Sequence, residues 1–323
     1  MCPPMLPRRL LTSVAPALLV GAVFIPACSE DEAAGPVPIA LGAALAELSG
    51  ARCEYLVRCG FALDQATCLD YQLDTGLLQL VADVSWGRVG YDPAAARACV
   101  DQVRALSCDV LDAEAEALEA TCKAVFGAKV PESGECFLSA ECLGEMECDF
   151  TGCDQTCCPG VCTPPVPRAP IGADCSTTPC VKGAFCEDID MVQTCAAQVD
   201  NGAPCSSPDA CKDGARCDQD SGSCYILSRE GETCNAAISA GGCLGSTNWC
   251  DPAQSQCVRL PGAGQPCAGE NGACLPYATC NGTSCVVRPR DEEACVDEGP
   301  ACLSGLNCTD GFCPARRHVA ACF

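Results

Sequence analysis

Apolar positions across residues 39–127 recur at helical spacing. Leu41, Leu45 and Leu48 share one face, and the stripe runs on through Tyr55, Leu56 and Cys59. Leu69, Leu73, Leu77 and Leu80 repeat it, which predicts a second helix. Asp92 followed by Pro93 supplies a cap and a first-turn residue, opening a third helix with Cys99, Val103 and Leu106 inward. Asp112 is placed as the cap of a fourth, with Glu114 and Glu116 near its positive end and Gly127 as its stop. The segment around Trp86 and Tyr91 either covers the helix junction or forms a binding loop. Cys53, Cys59, Cys68, Cys99, Cys108 and Cys122 fall in this stretch, enough for three bridges holding a core of small side chains.

Beyond Pro131 the helical period stops and cysteine sets the pattern, giving six four-cysteine units within residues 131–323. The first is Cys136, Cys142, Cys148 and Cys153, and the second is Cys175, Cys180, Cys186 and Cys195. Cys205, Cys211, Cys217 and Cys224 form the third, and Cys234, Cys243, Cys250 and Cys257 the fourth. The fifth holds Cys267, Cys274, Cys280 and Cys285, and the last Cys295, Cys302, Cys308 and Cys313. Cys157, Cys158 and Cys162 make an extra cluster at 157–162, Cys322 stands apart, and residues 163–170 read as a stiff Pro-rich linker. A glycine two or three positions before the first cysteine (Gly134, Gly172, Gly202, Gly231, Gly264) suits a turn needing positive φ. The segments CDFTGC, CDQDSGSC, CNGTSC and CTDGFC read as tight hairpins. Four cysteines permit three pairings; first with third and second with fourth would pin each hairpin to the strand before it.

The fold class expected is therefore small disulfide-rich repeats, loop-rich with short β-hairpins, preceded by a small disulfide-linked α-helical domain. Thirty-six cysteines in 323 residues, with no Cys-x-x-Cys and one histidine (His318), favour disulfides over zinc. Disulfides of this density imply an oxidising compartment. Residues 1–27 fit a signal peptide: Arg8 and Arg9 precede an uncharged apolar stretch at 10–25, shorter than the ~20 residues of a membrane span. Ile25, Pro26 and Ala27 ahead of Cys28 resemble a lipobox, with Pro26 departing from it and ordinary cleavage after Ala27 as the alternative. Setting aside Cys2 with the signal and Cys28 as the lipidated residue leaves an even thirty-four. Residues 28–38 then form a lipid-anchored flexible tether, with Ser29 resembling outer-membrane sorting.

The spacing of glycine, four cysteines and a short hairpin over residues 134–314 resembles the Dickkopf N-terminal cysteine-rich domain, as found in tandem in secreted bacterial lipoproteins. The resemblance implies a disulfide-knotted interaction module; receptor antagonism is not implied, because no receptor-contact residues match. A net charge of −23 argues against nucleic acid as a partner. No catalytic site, cofactor or metal is expected: with His318 the only histidine, the usual base for nucleophilic catalysis is missing. Gly262 and Gly264 begin a dinucleotide-type pattern, but Cys267 takes the third glycine position. Asp218, Asp220 and Gly222 partly match a calcium loop, and Glu187, Asp188 and Asp190 form a second acidic cluster. Both are read as acidic turns facing water. Phe185, Tyr225, Trp249, Tyr277 and Phe312 are recognition anchors or, at their unequal offsets, shields for the disulfides.

The function expected is a cell-envelope lipoprotein, held to the membrane through Cys28, whose repeats bind an extracellular or envelope protein or glycan. A protease inhibitor presenting Lys182, Arg216 or Arg288 is the alternative from another class, and a passive protease-resistant spacer the third.

Overall fold

The computed structural model describes residues 36–71, 75–151, 157–189, 192–236, 242–269, 272–296 and 301–314. Residues 37–323 cluster as one unit, with a helical part first and a string of hairpins after it. The helices are α1 (Leu41–Arg58), α2 (Gln65–Tyr71), α3 (Thr75–Ser85), α4 (Pro93–Ala105) and α5 (Asp112–Lys123). Asp92 caps α4 as expected, accepting from the N–H groups of Ala94 and Ala95 at 2.8 and 3.0 Å, with Pro93 pre-set at the first position. Ala44, Ala51, Ala96, Cys99 and Val100 are buried in one cluster where α1 meets α4, small side chains that let the helices approach closely. Arg58, at the end of α1, donates to the carbonyls of Arg104 and Leu106 and so closes the C-terminus of α4. Cys53–Cys68, Cys59–Cys108 and Cys99–Cys122 staple α1 to α2, the end of α1 to the exit of α4, and α4 to α5.

The stripe from Leu69 to Leu80 is helical on both sides of residues 72–74, as α2 to Tyr71 and α3 from Thr75, and Leu73 lies outside the described residues. Two local expectations need correction. Asp112 is the first residue of α5 rather than its cap. Leu111 takes the cap position, and the Glu114 carboxylate accepts from its N–H at 3.0 Å. Gly127 does not stop a helix but lies within β2 (Phe126–Ala128), which pairs antiparallel with β1 (Val89–Tyr91) and sets Gly127 across from Gly90. The chain leaves α5 at Lys123 because Val125 and Phe126 join the core, where the Phe126 ring lies 5.7 Å from that of Tyr91. Tyr91 also donates its hydroxyl to Ile39 O, so it fastens the junction rather than offering a loop.

In the hairpin part, β3 (Glu135–Cys136), β4 (Glu147–Asp149) and β5 (Gly160–Thr163) form one three-stranded sheet. Four two-stranded hairpins follow: β6 (Ala184–Ile189) with β7 (Val192–Ala197), β8 (Ala215–Asp218) with β9 (Ser223–Ile226), β10 (Asn248–Asp251) with β11 (Gln256–Arg259), and β12 (Ala278–Cys280) with β13 (Cys285–Val287). Two cysteines face each other across every hairpin, for example Cys217 and Cys224, yet they do not bond to each other. Each reaches back instead, first to third and second to fourth: Cys175–Cys186 with Cys180–Cys195, and so on through Cys295–Cys308 with Cys302–Cys313. The last unit has this pairing without a named strand pair, its turn closed by a bridge between Thr309 and Phe312.

Hydrogen bonds repeat as strictly as the sulfurs. In every unit the residue after the second cysteine donates to the carbonyl six positions before the first. The six pairs are Leu143 to Val130, Val181 to Ala169, Lys212 to Val199, Leu244 to Ser228, Leu275 to Pro261 and Leu303 to Pro289. The N–H three positions before the first cysteine donates to the carbonyl of the fourth: Gly172 to Cys195, Gly202 to Cys224, Gly231 to Cys257 and Gly264 to Cys285. These glycines hold φ between 78° and 86°, the left-handed value their turn requires. In the first and last units Ser133 and Glu292 occupy that position, each at φ 64°. Gly134, expected to supply the turn, is one place too late.

Ser133 donates to Cys162, which corrects the first unit: its fourth cysteine is Cys162, bonded to Cys142, and not Cys153. Cys162 is the residue opposite Cys148 in the sheet, so only it can close the unit as Cys195 closes the next. Cys157 and Cys158 are also disulfide-bonded, while Cys153 and Cys322 lie outside the described residues.

Candidate functional site

The repeats lie in register along the helices. Lys182 of the second unit pairs with Glu116 of α5. In the third, Asp213 accepts from Ala113 N, and Gly214 lies close to Leu111. Buried Asp109 holds the fourth, accepting from Glu230 N at 3.0 Å and from Asn248 Nδ2 at 2.7 Å. Arg259 donates to Arg58 O at 2.6 Å, and Leu275 of the fifth unit packs so near Gly60 that a Cβ there would meet its methyl at 2.7 Å. Most of these contacts come from the segment between second and third cysteines, at the base of each hairpin. The same face of successive units is therefore turned to the helices.

The hairpin tips lie at the other end of the strands, and four of the six are built alike. An Asx side chain beside the third cysteine accepts from N–H groups of the tip: Asp149 from Thr151, Asp218 from Asp220 and Ser221, Asp251 from Ala253, and Asn281 from Thr283 and Ser284. The Asp218 carboxylate is thus committed to its own turn, which accounts for the calcium-like spacing. Asp190 lies outside the described residues. Clusters of three cysteines, such as Cys234, Cys243 and Cys250, come from two disulfides lying side by side, so their sulfurs are not thiolate ligands.

The single aromatics divide. Trp249 and Tyr277 pack against Leu260, Ala268 and Leu275 at the joint between the fourth and fifth units, and Phe185 is buried. Phe312 is 57% exposed at the turn of the last unit. Among the inhibitor candidates, Lys182 is exposed but paired with Glu116 of α5, half-buried Arg288 donates to Ala278 O, and Arg216 is exposed. Cys28 and the apolar stretch before it lie outside the described residues, as do Arg316, Arg317 and His318. Among the described residues, no helix is long and apolar enough to cross a membrane.

Comparison with family models, curated proteins and solved structures finds no match to this chain. The repeat is therefore defined by its own six-fold pattern of sulfur and backbone bonds. The disulfides place the folded chain in an oxidising compartment.

One site was missed in the sequence. Glu141, in the short helical turn Ser139–Glu141 of the first unit, is fully buried against the helical part. Its Oε1 accepts from Phe137 N and Leu138 N, and Arg88 approaches Oε2 at 3.5 Å. Asp83 of α3 is equally buried beside it and accepts from Gln79 Nε2. Burial above all, then the hydrogen bond and charge of Asp83, push the Glu141 carboxyl up to about 7. Asp83 Oδ2 has no hydrogen-bond donor, which adds to the cost of ionising Glu141 beside it. With its oxygens so committed, Glu141 is a fastener between helices and repeats. The only clue to it was Leu-Ser-Ala-Glu, a capping-box spacing.

Proposed function

We propose that the protein is an exported envelope lipoprotein, anchored through Cys28, that binds a protein or glycan along the row of hairpin tips. The observation that carries this reading is the shared orientation of the units. Bases are fixed against the helices while tips of common framework but different sequence stay free: Gln219 to Ser221, Pro252 to Gln254, Gly282 and Thr283. A rigid frame with variable loops suits recognition, because the loops lose little entropy on binding. The inhibitor reading has less support, since Arg288 is half-buried against its own hairpin and Lys182, though exposed, is paired with Glu116.

The test is capture from envelope extracts and on glycan arrays with the oxidised chain, against a reduced and alkylated control. The reading requires ligands retained by the oxidised chain alone. It also requires their loss, by about tenfold or more, when Gln219, Asp220, Gln254 and Thr283 are changed together to Ala. Capture that survives those four changes removes the tips as the site. Labelling with a radioactive acyl donor, lost in Cys28→Ser, tests the anchor separately.

A further inference from the structure

The helical part contains a cleft that its own side chains do not fill. Its volume is about 720 Å3, and it lies among α1, α3, α4 and α5 with the turn Ser139–Glu141 of the first unit at one end. Leu48, Ala51, Tyr55 and Leu56 form its wall on α1, which from Leu48 to Leu56 spans about 12 Å of helix. Leu77, Leu80 and Val103 pack against the core yet remain only part-buried, and α5 has no buried residue at all. The bundle is thus open along α5, where Leu118 lines the cleft. A cleft of this size and lining is of the class that holds small molecules.

Its polar side chains are few, Ser49, Arg52, Tyr55 and Ser139, and Ser139 Oγ at the far end already accepts from Cys148 N. Ser49 Oγ lines the cleft, buried and with no hydrogen-bond partner. Arg52, one turn further along α1, stands at the same wall and is exposed, a positive charge on a chain whose net charge is −23. A ligand that matches has an apolar body and a single anionic end. Peptides and glycans do not match, because their amides and hydroxyls would be buried without partners against aliphatic walls.

We propose that this cleft binds a free long-chain fatty acid, the tail lying along α1 and the carboxylate meeting Ser49 and Arg52. The inference is independent of the hairpin tips. Titration calorimetry tests it, using the exported full chain with Cys28→Ser, so that no detergent competes. Palmitate should bind saturably at one site per chain, laurate more weakly and octanoate weakest. Val103→Trp, which fills the cleft, should weaken palmitate by more than about tenfold. Leu118→Trp, on the part-exposed face of α5, should do the same and decides the matter if Val103→Trp fails to fold. Arg52→Gln should weaken palmitate about fivefold and leave the neutral hexadecanol unchanged. No saturable binding, or palmitate affinity unmoved in folded Leu118→Trp, overturns the proposal. Equal loss for acid and alcohol in Arg52→Gln overturns the placement of the carboxylate.

Discussion

The helical part and the repeats use the same covalent bond for different ends. In the helical part, sulfur supplements a core of Ile39, Val89, Val100, Val125 and Phe126. In the repeats, sulfur is the core. The buried cluster of the fourth unit is Cys234, Cys243, Cys250 and Cys257 alone, and those of the second and third add little more than alanines and a valine. The joint of the fourth and fifth adds larger side chains, Leu260 and Leu275 with Trp249 and Tyr277. Units of this size bury too little apolar surface to fold on that account. Their loops close over 11 to 16 residues from the second unit onward, each bond contributing roughly 3 kcal/mol in the chain-entropy description. A packed core can lose a staple and persist, whereas a core made of staples cannot.

Reduction should break the comparison open most widely. With thiol reagent in excess, protease should cut freely between residues 166 and 314, while most of the helical circular-dichroism signal survives. Simultaneous loss of both would show that the helices, too, depend on sulfur.

Acidity probes the seam between the two parts. Glu141 titrates near 7 in the fold against an ordinary 4.5, so the folded state keeps a proton that the unfolded chain releases between those values. Its contribution is full below about pH 4.5 and declines as pH rises through about 7, by up to roughly 3 kcal/mol. Glu141→Gln keeps the acceptor for Phe137 and Leu138 but has no proton to lose. Denaturant midpoints of the variant should therefore stay level across this window while those of the parent fall; parallel curves would refute the assignment.

Asp109→Ala removes the two bonds by which its carboxylate holds the fourth unit, leaving that of Arg259 to Arg58 O. It should cost about 2 kcal/mol, read as faster hydrogen exchange at Glu230 with protection around Val100 unchanged. The smallest effect is a gain. Ser133→Gly and Glu292→Gly each place glycine at a left-handed turn where four other units already have it, and each should stabilise by about 0.5 kcal/mol. A loss of stability from either would mean that those side chains contribute more than their strain.

Much of this was written locally in the chain. Cysteine spacing marked the units, the recurring glycines marked a turn of fixed handedness, and Asp92–Pro93 marked the start of α4, because each acts within a few residues. What escaped was decided at a distance. The choice between Cys153 and Cys162 depends on which residue falls opposite Cys148 in the sheet, and spacing alone favoured the nearer one. Gly127 looked like a stop because nothing local reveals that residues 89–91 will pair with it. Asp109 was one acid among forty-two Asp and Glu until Glu230 and Asn248, more than a hundred positions away, met its carboxylate. The cleft left no sequence signal, since the leucines that line it also satisfy a helical stripe.

The joints between units bear on how the chain would carry a mechanical load. Cys195 to Val199, Cys224 to Ser228, Cys257 to Pro261 and Cys285 to Pro289 are each four positions apart, whereas Cys162 to Ala169 is seven. Under tension, force entering the fifth unit at Cys267 crosses to Cys280 through sulfur and leaves at Cys285, bypassing the chain between Cys267 and Cys280. A stretched unit can thus pay out only a short tip and a short joint before covalent bonds take the strain. Pulled from its ends, the string from the second unit onward would stiffen almost at once. The longer span between Cys162 and Ala169 is where it would yield first.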